Sequence, residues 1–429
     1  MPVVTGSPSS GHPVTPLADA ARAILAANWT GRSTVPSRTL YPHQWSWDAA
    51  FNAIGWSHVD PARAAQELES LLGAQWDDGR IPHIAFHAGV PEEAYFPGPA
   101  FWRHGATSGI TQPPVHPVAA LEVARRGAGP AFLERVYPRL AAQHDYLARS
   151  RDARGAGLAA IVHPWESGLD NAPAWDEPLA AVDASGVSPY RRRDLDHADP
   201  ADRPSDAAYD RYVLLAERYR ERGYEDGDLR AWSPFLVEDP LFNALYLAGA
   251  HALAEIAARV GADPAPHGAA AERIHAALVD RLWDEEHGRF APYDLVAERF
   301  VDRRSIVSLA PLLDPDLPAE RVDRLASELA SEHFWDPDGA GVTSYDRLAG
   351  DFEPRRYWRG PAWANTNWLL ARGLRAHGRG DLAARLDEAT LWLVERGGFC
   401  EYFDARTGEG HGSRDFSWTA ALVLDILER

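Results

Sequence analysis

The feature that most restricts this chain is a helix start that recurs along its length: Asp or Gly, then Pro, then an apolar periodic run. Asp60-Pro61 opens a run through Leu72, with Leu68, Leu71 and Leu72 on one stripe. Asp239-Pro240 opens LFNALYLAGAHALAEIAARV, which closes at Gly261. Pro318 leads AERVDRLASELA, Gly360-Pro361 opens AWANTNWLLARGLRAHG, and Asp381-Leu382 opens AARLDEATLWLVERGG. Proline suits a first helical turn because its φ is preset and its missing N–H would be unpaired there; Asp or Gly suits the cap. Further helical patterns cover 16–28, 47–57, 117–126, 130–149, 208–221, 266–282 and 416–428. Sustained period-two alternation is scarce, so the chain is expected to be all-α with little sheet. Short loops alternate with long ones, as in stacked helical hairpins. Six hairpins closed in a ring make an (α/α) barrel; the helix count alone also fits an open solenoid.

Two segments, 74–116 and 151–207, are long and rich in Pro, Gly, His, Trp and Asp. Irregular stretches of that length in a compact domain usually carry function. Residues 1–13 read as a flexible tail, and 14–429 as one domain, large enough to bury an extensive core. The net charge of −19 disfavours nucleic acid and anionic membranes as partners, yet a local basic cluster can still take an anionic ligand. Cys400 is the single cysteine, so no internal disulfide forms and no cysteine-based metal site is expected. The N-terminus lacks the basic and apolar regions of a signal peptide, and no run of 18 apolar residues occurs; the expected location is cytoplasmic.

The chain has sixteen tryptophans, which serve a core, a carbohydrate cleft, or both. Seven of them fall in four segments that also hold the candidate chemistry. His163-Pro-Trp165-Glu166-Ser-Gly168-Leu-Asp170-Asn-Ala-Pro-Ala-Trp175-Asp176 sets three carboxylates among indoles. Loss of solvation beside those rings raises a carboxyl pKa and makes a proton donor near neutrality. The alternative is a loop whose acids cap helices. Gly397-Gly-Phe-Cys-Glu401-Tyr-Phe-Asp404 carries a second carboxylate in an aromatic loop, with Glu409 and Trp418 following. Tyr41-Pro-His-Gln44-Trp45-Ser-Trp47-Asp48 suits a sugar platform: indoles stack on the ring while Gln44 and Asp48 bond its hydroxyls. Tyr357-Trp-Arg359-Gly-Pro-Ala-Trp363 precedes a helix. Two carboxylate loops, Trp-rich helix starts and no phosphate or dinucleotide motif point to acid–base hydrolysis of a glycoside without a cofactor.

Glu166-Ser-Gly-Leu-Asp170-Asn, with Trp47-Asp48, Arg359-Gly-Pro-Ala-Trp363 and Phe416-Ser-Trp418-Thr-Ala, resembles glycoside hydrolase family 63 and its relatives, the family 37 trehalases. The resemblance runs from about residue 38 to the end. It implies a six-hairpin (α/α) barrel with long active-site loops and inversion of anomeric configuration. Asp170 falls on the general acid and Glu401, rather than Glu409, on the general base. Glu166 becomes a hydrogen-bonding support and Asp48 a ligand of the non-reducing sugar. Trp165 and Gly168 lie within the same signature. Within the clan the chain is most similar to glucosylglycerate and mannosylglycerate hydrolases. That implies a small glucoside or mannoside, with a carboxylate aglycone held by Arg203, Tyr209, Tyr357 and Gln112. Without the resemblance, Arg203 reads as a surface residue, as does Arg191-Arg192-Arg193. Phe399-Cys400 and Phe403 depart from the family pattern.

Two other classes compete. A sugar epimerase on a similar barrel would need paired histidines, for which His83, His87 and His163 are candidates. A carbohydrate-binding protein would keep the Trp cleft with incidental acids. Asp336-Pro-Asp338-Gly lacks the distal Glu of a calcium loop and reads as a turn, so no metal is expected. The oligomeric state is open.

Overall fold

The computed structural model describes residues 14–429 except position 197 and residues 336–340; the N-terminal tail and the Asp336-Pro-Asp338 turn lie outside the described residues. In chain order the long helices are α1 (Val14–Asn28), α2 (Ser46–Ser57), α3 (Pro61–Leu72), α4 (His116–Val123), α5 (Gly129–Tyr146) and α6 (Asp206–Glu221). There follow α7 (Pro240–Arg259), α8 (Ala265–Arg281), α9 (Ala319–Leu329), α10 (Ala364–Ala376), α11 (Gly380–Gly397) and α12 (Ser417–Glu428). Strands among the described residues are all two residues long, in keeping with the scarce alternation.

Five of these helices and one 3-10 segment form a closed inner ring. Helix α2 packs on α4, α4 on α7, α7 on the 3-10 segment Ile306–Leu313, that segment on α10, α10 on α12, and α12 back on α2. The outer layer is α1, α3, α5, α8, α9 and α11, each against an inner neighbour. The ring therefore closes, and the open solenoid is excluded. Sequence explains the layering. Every residue of α2 is buried, as a helix surrounded by protein requires. Helix α9 buries only Val322, Leu325 and Leu329, a single stripe facing inward. Helix α7 is apolar and long enough by composition to cross a membrane, yet most of it is covered by its barrel neighbours.

Three sequence expectations shift. Ile306–Leu313, IVSLAPLL, falls outside the predicted helices; it is fully buried and carries Pro311, so it has neither a polar face nor an unbroken α-helical ladder. Helix α6 matches a predicted helix but lies outside the ring, in the long excursion between α5 and α7. Helix α10 begins at Ala364 rather than Pro361, because Ala362 pairs with Phe403 through Ala362 N–H···O 2.8 Å and Phe403 N–H···O 3.0 Å. The loops that precede the inner helices gather on one rim and are pinned there by short pairings. Gln44–Trp45 pairs with Ile84–Ala85, and Tyr402–Phe403 with Gly410–His411.

Candidate active site

That rim encloses a cavity with about 770 Å³ of empty space including its mouth. Tyr41, Trp45, Trp47 and Asp48 reach it from the entry to α2, and Gln112 from the entry to α4. Trp165, Gly168 and Asp170 come from the 151–207 loop, with Arg203 and Tyr209 at the start of α6. Tyr357 precedes α10, and Glu401 and Trp418 flank the entry to α12. Thirteen of the sixteen residues singled out by sequence thus converge on one cavity.

Gln44, Glu166 and Trp363 do not line it. Gln44 and Trp45 are consecutive in a strand and so face opposite sides. Trp45 takes the cavity, while Gln44 donates from Nε2 to the Glu67 carboxylate at 2.8 Å. Trp363 lies in the extended stretch before α10, stacked between Trp358 (3.6 Å between centroids) and Tyr402 (4.8 Å). Glu166 is fully buried behind the site. It accepts both Arg151 terminal nitrogens at 2.7 Å and the Val162 N–H at 2.8 Å, a bidentate pair that anchors the loop bearing Asp170.

Two glycines allow this packing. Gly168 has φ +75°, and a Cβ there would sit 2.7 Å from the Trp47 indole. Gly412 has φ +69°, and its Cβ would sit 2.5 Å from Glu401 Oε2. Both positions combine a left-handed backbone with a close approach that only glycine permits.

The carboxyls differ in setting. Glu401 is 1 % exposed. Its Oε1 accepts the Tyr41 hydroxyl at 2.9 Å and its Oε2 the Ser413 N–H at 3.0 Å. Burial raises its pKa, while Arg203, the Ser413 amide and the phenols of Tyr41 and Tyr357 pull it back. Asp170 is half-buried; its backbone carbonyl accepts the Tyr212 hydroxyl at 2.7 Å, while its carboxyl takes no hydrogen bond from another side chain among the described residues. Burial pushes its pKa up to about 7 against the pull of Arg203, with Glu401 and Asp194 adding to the rise. Asp48 is raised well above the usual range by burial and then by Glu401. Arg203 lowers the pKa of both Asp170 and Glu401, whereas Glu401 and Glu67 raise that of Asp48. The cavity therefore holds two unlike carboxyls, Asp170 raised to about 7 by burial and Glu401 tied by two hydrogen bonds.

Arg203, which the resemblance assigns to the aglycone and its local sequence to the surface, is 6 % exposed, and its Nε donates to Asp194 Oδ2 at 3.2 Å. Arg192 also donates to Asp194, so the Arg-rich run is only partly a solvated surface. Asp194, Tyr95, Phe96, His83 and Phe416 line the cavity as well. Their one signal was membership of the long loops or of the aromatic Phe416-Ser-Trp418 run. Glu409 is largely exposed and outside the lining. His83 reaches the cavity without His87 or His163; His163 is committed to the Tyr212 carbonyl at 2.8 Å. Among the described residues a facing histidine pair is absent from the lining. His251, Asp314 and Asp316 form a group of metal-type ligands elsewhere, outside this cavity.

A closed ring of helix pairs with two unlike carboxyls on its rim is the arrangement of a helical-barrel glycoside hydrolase. Residues 41–419 match the family model described as mannosylglycerate hydrolase MGH1-like glycoside hydrolase domain, and the chain belongs to that family. The mannosylglycerate hydrolase of Rubrobacter radiotolerans is 42% identical over 97% of this chain and 98% of its own. The glucosylglycerate hydrolase of Mycolicibacterium hassiacum is 40% identical over 96% and 98%. The crystal structure of the GH63 mannosylglycerate hydrolase from Thermus thermophilus in complex with Tris and D-glycerate superposes with a TM-score of 0.91. It is 41% identical, covering 96% of this chain and all of that one. Neutral trehalase Nth1 from Saccharomyces cerevisiae, 17% identical with a TM-score of 0.62 over 92% and 73%, shares the fold. The protein is a glycoside hydrolase, which sets aside the epimerase and the non-catalytic binder.

Proposed function

We propose that this enzyme hydrolyses glucosylglycerate or mannosylglycerate by a single, inverting displacement. Arg203 carries the reading. Among the described residues it is the one arginine or lysine lining a cavity whose charged lining is otherwise Asp48, Asp170, Asp194 and Glu401. Its Nη1 reaches the Tyr41 hydroxyl only at 3.4 Å, and Nη2 has no hydrogen-bond partner among the described residues. A guanidinium with an open edge in an acidic cavity fits a carboxylate on the substrate. Tyr209 and Tyr357 stand beside it: the Arg203 guanidinium lies 4.2 Å from the Tyr357 ring centroid. The named substrates of the close relatives support the same aglycone.

In this scheme Asp170, protonated, donates to the glycosidic oxygen, and Glu401, ionised, takes a proton from water attacking the opposite face of the sugar. Asp170 is the donor rather than Asp48 because it is the more open of the two and sits under the influence of Arg203, on the aglycone side. Trp47, Trp418 and Trp165 give stacking faces for the sugar, and Asp48 and Gln112 bond its hydroxyls. Gln112 already accepts the Trp47 N–H at 3.2 Å, which leaves its amide nitrogen without a partner among the described residues.

The test is turnover of glucosylglycerate, mannosylglycerate, trehalose and kojibiose, with proton NMR of the first-formed anomer. Release of glycerate with inversion, lost in Asp170→Asn and in Glu401→Gln, is expected. Near-normal turnover by either variant would remove that residue from the scheme. Preference for trehalose over both glycerates would sink the aglycone assignment.

A further inference from the structure

Arg203 is held in a way that its own role does not require. One face of its guanidinium lies over the Tyr357 ring at 4.2 Å, and its Nε donates to Asp194 Oδ2 at 3.2 Å. Those two contacts fix the plane and the roll of the group, and they leave the Nη edge toward Tyr41 and the cavity. Asp194 is itself clamped. Arg192 donates from Nη2 to Oδ2 at 2.7 Å and from Nε to Oδ1 at 3.1 Å. Arg192 also donates to the Pro204 carbonyl at 2.8 Å and to Asp206 Oδ1 at 2.9 Å, and lies 4.4 Å from the Tyr209 ring centroid. The chain thus runs from the first turn of α6 through Arg192 and Asp194 to Arg203.

We infer that Asp194 is a positioning residue that aims Arg203 at the acidic aglycone, and that Arg192 lets it do so without cancelling the charge of Arg203. This rests on the function proposed above. A lone carboxylate on Nε would orient Arg203 but neutralise it, and the cavity would then repel an anion. With two guanidiniums on one buried carboxylate, the triad keeps one net positive charge, since the Asp206 carboxylate on Arg192 is exposed and screened by solvent, while the bidentate Arg192 pair spends Asp194 on a rigid partner. Burial raises the Asp194 pKa, but Arg192 and Arg203 outweigh it and hold the group ionised. Asp194 has a second effect through space. The groups facing Asp170 are Arg203, Glu401 and Asp194, with the phenols of Tyr95, Tyr212 and Tyr357. Arg203 draws the Asp170 proton off, and Asp194 opposes it.

The experiment compares Asp194→Ala, Asp194→Asn and Arg203→Met on two hexosides of the same sugar, one with glycerate and one with neutral glycerol as aglycone. For Asp194→Ala the ratio of KM for the glycerate compound to KM for the glycerol compound is expected to rise by about tenfold, the scale of one charge-assisted hydrogen bond. Asp194→Asn keeps an acceptor for Nε but not the charge. It is expected to hold that ratio within about threefold and to move the basic limb of kcat/KM to lower pH by about half a unit. A parallel loss on both substrates in Asp194→Ala would show a merely structural role and overturn the inference. So would an unchanged ratio in Asp194→Ala beside a raised one in Arg203→Met. An unchanged ratio in Arg203→Met overturns the aglycone reading itself, and this inference with it.

Discussion

Gly412→Ala is the smallest change that should displace the proposed base. A Cβ at this position would lie 2.5 Å from Glu401 Oε2 and 2.7 Å from the Tyr402 ring, where ordinary contact begins at 3.4 Å. Relief requires a movement of about 1 Å, and it falls on the oxygen that accepts the Ser413 N–H at 3.0 Å. The Tyr402 ring cannot yield instead, because it is buried and stacked on Trp363. A misplacement of that size at a reacting group costs on the order of 100-fold in rate. The left-handed backbone adds about 1–2 kcal/mol to the cost of folding. Gly155→Ala separates the two effects, since Gly155 has φ +66° and nothing within 4 Å of its Cβ position. The assay is kcat on the glycerate substrate together with denaturant unfolding of both variants. Gly412→Ala should lose about 100-fold in kcat while Gly155→Ala loses stability alone. A folded Gly412→Ala enzyme within about threefold of the parent kcat, or an equal kcat loss in Gly155→Ala, would refute the reasoning.

Activity should follow a bell-shaped pH profile. Asp170 must be protonated, so kcat/KM falls as pH rises through about 7; Glu401 must be ionised, so it also falls on the acid side, at a pH above the ordinary carboxylate value. A basic limb that survives Asp170→Glu unmoved, or one lying near pH 9, would contradict the assignment of the acid. Arg151→Met leaves the fully buried Glu166 without its partner and should cost about 3–5 kcal/mol in urea unfolding; a loss below about 1 kcal/mol would show that the pair is not the anchor of its loop. Gly168→Ala drives a Cβ against Trp47 and should lower kcat on the order of tenfold, with the indole emission of the folded protein shifted; unchanged kinetics would mean the loop yields freely.

What sequence could show was what local chemistry dictates. Asp60 and Asp239 cap α3 and α7 as their following prolines announced, with Asp239 accepting the Phe242 N–H at 3.0 Å. The 3-10 segment Ile306–Leu313 escaped because a segment buried on all sides has no periodic contrast to read. Sequence ties Gln44 and Trp363 to the site only through their neighbours in motifs, and neither lines the cavity. A strand turns alternate residues away, and three extended residues before α10 rotate Trp363 into a stack; neither follows from composition. Arg203 is the reverse case. Its surroundings in sequence, Asp199, Asp202, Asp206 and Asp210, are those of a surface loop, and only the distant Tyr357 and Tyr41 make it interior. The acids were visible because aromatic residues lie beside them in sequence; the partners that set their proton affinity are remote along the chain.

The hydrogen bond between Tyr41 and Glu401 joins residues 360 positions apart, and the same seam is where α12 meets α2. During synthesis the first wall of the cavity emerges early, whereas Glu401, Phe416 and Trp418 leave the ribosome long after it. The cavity wall that carries Glu401 is therefore completed only when the two ends of the chain meet. Until then the face of α2 that packs on α12 awaits a partner that has not yet been made. Without α12 the ring would open beside α2, and the cavity would lose the wall that carries Trp418.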